Sequence, residues 1–216
     1  MQQMASVNLV IFDCDGVLVD SERITNIVFA EMLNELGIPV TLEDMFEQFV
    51  GNSMSYCLQS IKGLLGKPVP EEFVPEYIDR TAIALSKNLK AVDGITEVLN
   101  ELRIPYCVAS SGTHEKMQMT LGITNLLSYF EVKIFSVTEV QRGKPYPDVF
   151  LYAAERMGVQ PDNCVVVEDT PIGVRAGLAA GMKVFGYAKL TPAHKLEQEG
   201  AIIFRDMQQL PNLLKA

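Results

Sequence analysis

Basic residues are scarce in this chain. Eighteen lysines and arginines stand against 27 aspartates and glutamates, a net charge of −9. That balance argues against nucleic acid or an anionic membrane surface as partner. It leaves an anionic substrate open, because one basic group and a metal can dominate a single pocket. Long apolar runs are missing as well: none approaches the ~20 residues that span a bilayer. The opening MQQMASVNLV has neither the basic region nor the apolar region of a secretory signal. Cysteine is sparse. Cys14, Cys57, Cys107 and Cys164 form no CxxC pair and no metal-finger spacing, so buried reduced thiols are expected. Internal repeats and low-complexity tracts are lacking. Together these absences point to the cytoplasm.

What is present is a substantial core. Hydrophobic residues make up 48% of the 216, enough for one domain with an insert or for two small domains. Residues 7–12, apolar except for Asn8, end abruptly in Asp13 and Asp15, with Gly16 next and Asp20-Ser21 beyond. Such a run reads as a buried strand of a parallel sheet. Open α/β sheets bind ligands outside the carboxyl ends of their strands, so this strand delivers two acids where such folds do chemistry. Taken alone, Asp13 and Asp15 also fit ordinary turn acids before a glycine of positive φ.

Four further strands are expected, at 106–109, 133–135, 164–167 and 183–187, with helical patterns at 93–102, 115–121, 147–157 and 171–180. The alternation indicates an α/β fold with a doubly wound parallel sheet. Residues 22 to about 88 break it and read as helices only, at 23–36, 41–50, 56–65 and 71–89. The expected organisation is a core of residues 1–20 and 89–216, interrupted after its first strand by an all-helical insert of residues 21–88. Gly173, Gly177 and Gly181 do not have the GxGxxG spacing. They are expected to line one helix face and let it pack closely on the sheet.

Other polar groups sit at strand ends. The strand at 106–109 runs into Ser110-Ser111-Gly112-Thr113, where hydroxyls, backbone N–H groups and a helix start can bind phosphate. The strand at 164–167 ends in Glu168-Asp169-Thr170. Asp13, Asp169 and the Asp15 carbonyl would offer Mg²⁺ hard oxygen ligands. Lys144 lies in a Gly-Lys-Pro loop with a second proline at 147. A carboxylate can attack phosphorus if cations offset the repulsion, and a second carboxyl can transfer the proton.

The order DxDGxxxDS, strand-end Ser, Lys-Pro-x-Pro-Asp and Glu-Asp resembles the haloacid dehalogenase superfamily of Mg²⁺-dependent phosphohydrolases. The helical insert is similar to the cap of its phosphoglycolate phosphatase and β-phosphoglucomutase branch. The resemblance implies Asp13 as nucleophile and Asp15 as general acid/base. It implies Ser110 as phosphate-binding hydroxyl, Lys144 as the phosphate-balancing lysine and Asp169 as metal ligand. Thr25 and Met54 stand where mutases of that branch carry a histidine and an arginine. The stretch 111–144 is similar to the 6-phosphogluconate phosphatase type. The expected function is phosphatase action on a small phosphorylated metabolite, a sugar or sugar-acid phosphate, by a monomer or weak homodimer. A hexose-phosphate mutase is the alternative within enzymes, and a metal-free dehalogenase a third reading. A phospho-aspartate receiver module is the alternative of another class, which the helical insert argues against. Specificity is expected from Asn52, Met54 and Thr113.

Overall fold

A computed structural model of the chain describes residues 7–49 and 54–215. It separates into two compact units. One comprises the residues up to Asp20 and those from Lys90 onward; the other is Ser21–Leu89.

The first unit is built on a parallel six-stranded sheet. Its strands are β1 (Leu9–Phe12), β2 (Tyr106–Ser110), β3 (Ile134–Ser136), β4 (Cys164–Glu168), β5 (Lys183–Tyr187) and β6 (Ile202–Phe204), in the order β3-β2-β1-β4-β5-β6. All the pairings are parallel. Every residue of β1 has zero exposure. That explains why its sequence is uniformly apolar rather than alternating, since helices cover both faces of such a sheet. Burying each such side chain contributes roughly 1.5–3 kcal/mol.

The chain leaves β1 for β2 and β3 on one side, then returns to β4 on the other. The carboxyl ends of β1 and β4 therefore flank the switch point, the crevice where open sheets of this type bind ligands. The strand β6 corrects the sequence reading, which expected five strands. It has three residues, sits at the sheet edge and leaves Ile202 46% exposed, so it carries little of the buried-strand pattern.

The helices of this unit are α5 (Ile95–Glu101), α6 (His114–Ile123), α7 (Leu127–Phe130), α8 (Asp148–Arg156), α9 (Pro171–Ala179), α10 (Ala193–Gln198) and α11 (Leu210–Leu213); those of the other unit are α1 (Ser21–Glu35), α2 (Leu42–Gln48), α3 (Met54–Leu65) and α4 (Phe73–Asn88). The glycine reading for 173–181 needs correction. Only Gly177 packs on the sheet, against Val166 and Val184. Gly173 makes room for the Glu168 carboxyl group, and Gly181 lies beyond α9 at φ +76° with open space around it.

The helical unit has its own core. Phe29 meets Phe49, Phe73 and Tyr77 edge-on, with ring centroids 5.0–5.8 Å apart. Thr41 caps α2 by accepting from the Asp44 N–H, and Asp44 returns the bond to the Thr41 N–H. Among the described residues the four cysteines are buried and form no disulfide. No helix among them is long and apolar enough to cross a membrane.

Candidate active site

Three adjacent strands end in polar groups. Phe12 pairs with Val167 and Val108. Asp13 thus leaves β1 between the ends of β4 and β2, where Glu168 and Ser110 stand. Asp13, Ser110, Glu168 and Asp169 are all buried, at 6%, 1%, 1% and 4% exposure. Buried charges of one sign need partners.

Lys144 is the principal partner. It enters from the connection between β3 and α8, and its side chain is 3% exposed. Its Nζ donates to Asp13 Oδ1 at 2.6 Å, to Glu168 Oε1 at 2.8 Å and to the Ala109 carbonyl at 3.3 Å. It also lies 4.6 Å from the centre of the Phe150 ring. Burial pushes the Asp13 carboxyl up to about 7, with Lys144 opposing and Glu168 and Asp15 reinforcing the shift. Burial alone would lower the Lys144 ammonium; Asp13 and Glu168 outweigh it and hold it above its ordinary value. The loop that carries Lys144 is closed by Arg142, whose Nε and Nη2 donate to the two Asp148 oxygens at 3.1 and 2.8 Å.

Glu168, which sequence reasoning left outside the site, is an organising group. Its Oε2 accepts from the Asp169 N–H at 2.8 Å, the Thr170 N–H at 2.7 Å and the Thr170 hydroxyl at 2.9 Å. The signal was available: an acid at the end of the buried run 164–167, directly before Asp169.

The remaining expected residues divide. Ser110 Oγ accepts from the Gly112 N–H at 3.1 Å, which folds the loop after β2 into a tight turn. Ser111 is exposed beside it. Thr113 is the N-cap of α6, its side chain accepting from the Lys116 N–H. Asp15 pairs with Lys116, Nζ to Oδ2 at 2.7 Å, a contact the sequence reading did not include. Met54 packs against the helical unit's own apolar cluster. Asn52 lies outside the described residues.

The acids fit a magnesium ion. Gly16, at φ +78°, has no Cβ where the Asp169 carboxylate lies, and an added one would collide with it. Asp169 is thereby held against the main chain that follows Asp15. Two carboxylates, Asp13 and Asp169, and a main-chain carbonyl are hard oxygen donors of the kind Mg²⁺ prefers. Among the described residues no three His, Cys, Asp or Glu side chains form a metal cage. In the ion pairs of this site Asp15 meets Lys116, and Asp13 and Glu168 both meet Lys144.

The sequence profile of the haloacid dehalogenase-like hydrolases matches residues 10–187, most of the chain and every group just described. The chain belongs to that family. The 6-phosphogluconate phosphatase of Escherichia coli is 34% identical over 215 residues, 99% of this chain and 97% of that protein. A conserved haloacid dehalogenase-like protein of unknown function from Agrobacterium tumefaciens superposes with a TM-score of 0.92 at 35% identity, covering 96% of this chain and 97% of that one. A family hydrolase from Deinococcus radiodurans, crystallised with bound phosphate and sodium, gives 0.85 at 30% identity over 97% and 96%. Curated relatives named for an activity include phosphatases, hydrolases of phosphoric monoesters, while a putative β-phosphoglucomutase from Thermotoga maritima superposes with a TM-score of 0.77 at 29% identity over 96% of this chain and 98% of that one.

Proposed function

We propose that this hydrolase is a Mg²⁺-dependent phosphatase for a small sugar or sugar-acid phosphate, working through an aspartyl phosphate on Asp13. The observation that carries the reading is the buried Lys144, which holds Asp13 and Glu168 together at the switch point of the sheet. The phosphatase relatives support the same substrate class.

Asp13 is the nucleophile in this reading. Lys144 fixes the orientation of its carboxylate and adds positive charge where the phosphoryl group must arrive. Glu168 holds Lys144 from the other side and keeps the ammonium from swinging away. Ser110 Oγ, held by the Gly112 N–H, keeps its own hydroxyl proton to donate to a phosphoryl oxygen. A magnesium ion held by Asp13, Asp169 and the Asp15 carbonyl would neutralise phosphate charge when bound.

In the first step an Asp13 oxygen bonds to phosphorus and the bond from phosphorus to the sugar oxygen breaks. The departing oxygen takes the proton of the Asp15 carboxyl group. In the second step the Asp15 carboxylate removes a proton from water as the water oxygen bonds to phosphorus. The bond to Asp13 breaks, inorganic phosphate leaves, and both acids return to their starting states. The core and cap roles of the two units, 1–20 with 89–216 and 21–88, belong to this proposal, with the helical unit selecting the leaving group.

The test is phosphate release from a panel of phosphorylated metabolites with Mg²⁺, including 6-phosphogluconate, hexose phosphates and phosphoglycolate. Turnover of one or more sugar or sugar-acid phosphates is expected, and its loss on chelation. No release from any member would refute the reading.

A further inference from the structure

Asp15 has a tightly held main chain. The Gly16 N–H donates to the Val19 carbonyl at 2.8 Å, and the Leu18 and Val19 N–H groups donate to the Cys14 carbonyl at 2.9 and 3.1 Å. Side-chain torsion is therefore what decides where its carboxyl group points. Lys116 meets that group at 2.7 Å. The lysine is braced in turn. Its N–H donates to Thr113 Oγ1 at 3.3 Å, and its carbonyl accepts from the Thr120 hydroxyl at 3.0 Å. Thr120 is fully buried. The stem of Lys116 crosses the turn after β2. A Cβ added to Gly112 would lie 3.5 Å from Lys116 Cδ and 3.6 Å from Ser110 Oγ. One side chain thus runs over the phosphate-binding turn and ends on Asp15.

The two lysines of the site differ in burial. Lys144 is 3% exposed, whereas Lys116 is 39% exposed and its partner Asp15 17%. A pair this accessible adds little to folding stability. Its geometry calls for another explanation.

We propose that Lys116 is a positioning residue for the reaction: it holds the Asp15 carboxyl group beside the turn that binds the phosphoryl oxygens, facing the ester oxygen that departs. The inference rests on the phosphatase reading above. It makes a distinction that general anion binding does not. An alkoxide leaving group needs a proton as its bond to phosphorus breaks, while p-nitrophenolate departs without one. Without Lys116, Asp15 keeps its chemistry but loses the 2.7 Å contact that directs its carboxyl group. The loss falls on substrates with poor leaving groups. The quantity kcat/KM reports the steps up to leaving-group departure, before water attacks.

The experiment compares the wild type with K116M and K116R, with Mg²⁺ present, on p-nitrophenyl phosphate and on the alkyl phosphate the wild type turns over fastest. K116M should lose at least about tenfold more in kcat/KM on the alkyl ester than on the aryl ester. K116R, which retains a cation on a long stem, should recover most of the alkyl loss, and both variants should melt within a few degrees of the wild type. Equal losses on the two esters would make Lys116 an anion-binding group and overturn the assignment. No loss, or a large drop in melting temperature, would overturn it also. A wild type that releases phosphate from neither ester would refute the phosphatase reading itself.

Discussion

The carboxylate of Asp169 occupies the space beside Gly16 that a side chain would need. A Cβ on Gly16 would collide with it, and the glycine's φ of +78° is one that L side chains rarely adopt. The two residues are 153 positions apart in the chain (169 less 16), yet each constrains the other. The main chain that carries Asp15 can approach Asp169 only because no side chain intervenes.

Gly16→Ala should therefore damage the site more than the fold. The left-handed conformation costs an alanine roughly 1–2 kcal/mol, while the displaced Asp169 carboxylate loses its place against the Asp15 loop. A fall in turnover of at least about 100-fold is expected, on the scale of a lost catalytic interaction, with a melting temperature lower by only several degrees. Near-normal turnover would show that Asp169 need not sit against this loop.

Asp13→Asn should abolish turnover, leaving below about one per cent, because an amide cannot act as the attacking anion. The fold should survive the nearly isosteric change. The pH dependence should differ as well. Burial raises the Asp13 carboxyl from its usual 3.8 to about 7. The stability linked to a raised carboxyl is present below pH 4 and is lost as pH rises through 7. In metal-free protein the wild type should thus lose melting temperature relative to the Asn variant between pH 5 and pH 8. Added Mg²⁺ should stabilise the wild type more at pH 8 than at pH 5. Parallel melting curves for the two proteins across this range would contradict the assignment.

The two remaining acids should separate by metal affinity. Asp15 is assigned a main-chain ligand and a side chain that moves a proton, whereas Asp169 is assigned a carboxylate ligand. By calorimetry, Asp15→Asn should keep most of the Mg²⁺ affinity that Asp169→Asn loses. Equal losses would mean that the Asp15 side chain binds the metal directly.

Water should be the main phosphoryl acceptor. Thr25 stands where related mutases carry a histidine, and its hydroxyl donates to the Glu22 carbonyl at 3.0 Å within its own helix. Met54 stands in place of the arginine and packs into the helical unit's cluster. Hexose phosphates should yield inorganic phosphate. Stoichiometric conversion of β-glucose 1-phosphate to glucose 6-phosphate, followed by phosphorus NMR, would be the contrary result.

Much of the fold was legible because buried parallel strands announce themselves. Residues 9–12, 106–110, 164–168 and 183–187 are apolar runs or nearly so, and the acids that end two of them mark the carboxyl edge. The helices between them follow from apolar spacing and from stop signals such as Gly37, which the structure holds at φ +86° after α1. The short strand β6 was not legible. At the edge, three residues with one exposed side chain bury too little to leave a periodic signal. The structure likewise adds α7, α10 and α11, which have four, six and four residues. Helices that short depend on packing rather than on intrinsic preference.

By itself the sequence determined the residue types of the site, its order along the chain and the family to which it belongs, since strand-end acids and a Gly-Lys-Pro loop are local patterns. Only the tertiary structure decided the partners. Lys144 lies 131 positions from Asp13, and Lys116 lies 101 from Asp15. No local spacing relates residues so far apart. Their pairing follows from the strand order, which sets the ends of β1, β2 and β4 side by side and directs both lysines onto them. Burial then assigns unequal parts. Enclosed between two acids, Lys144 stays charged and fixed, and at the rim Lys116 is left to govern the direction of a single carboxyl group.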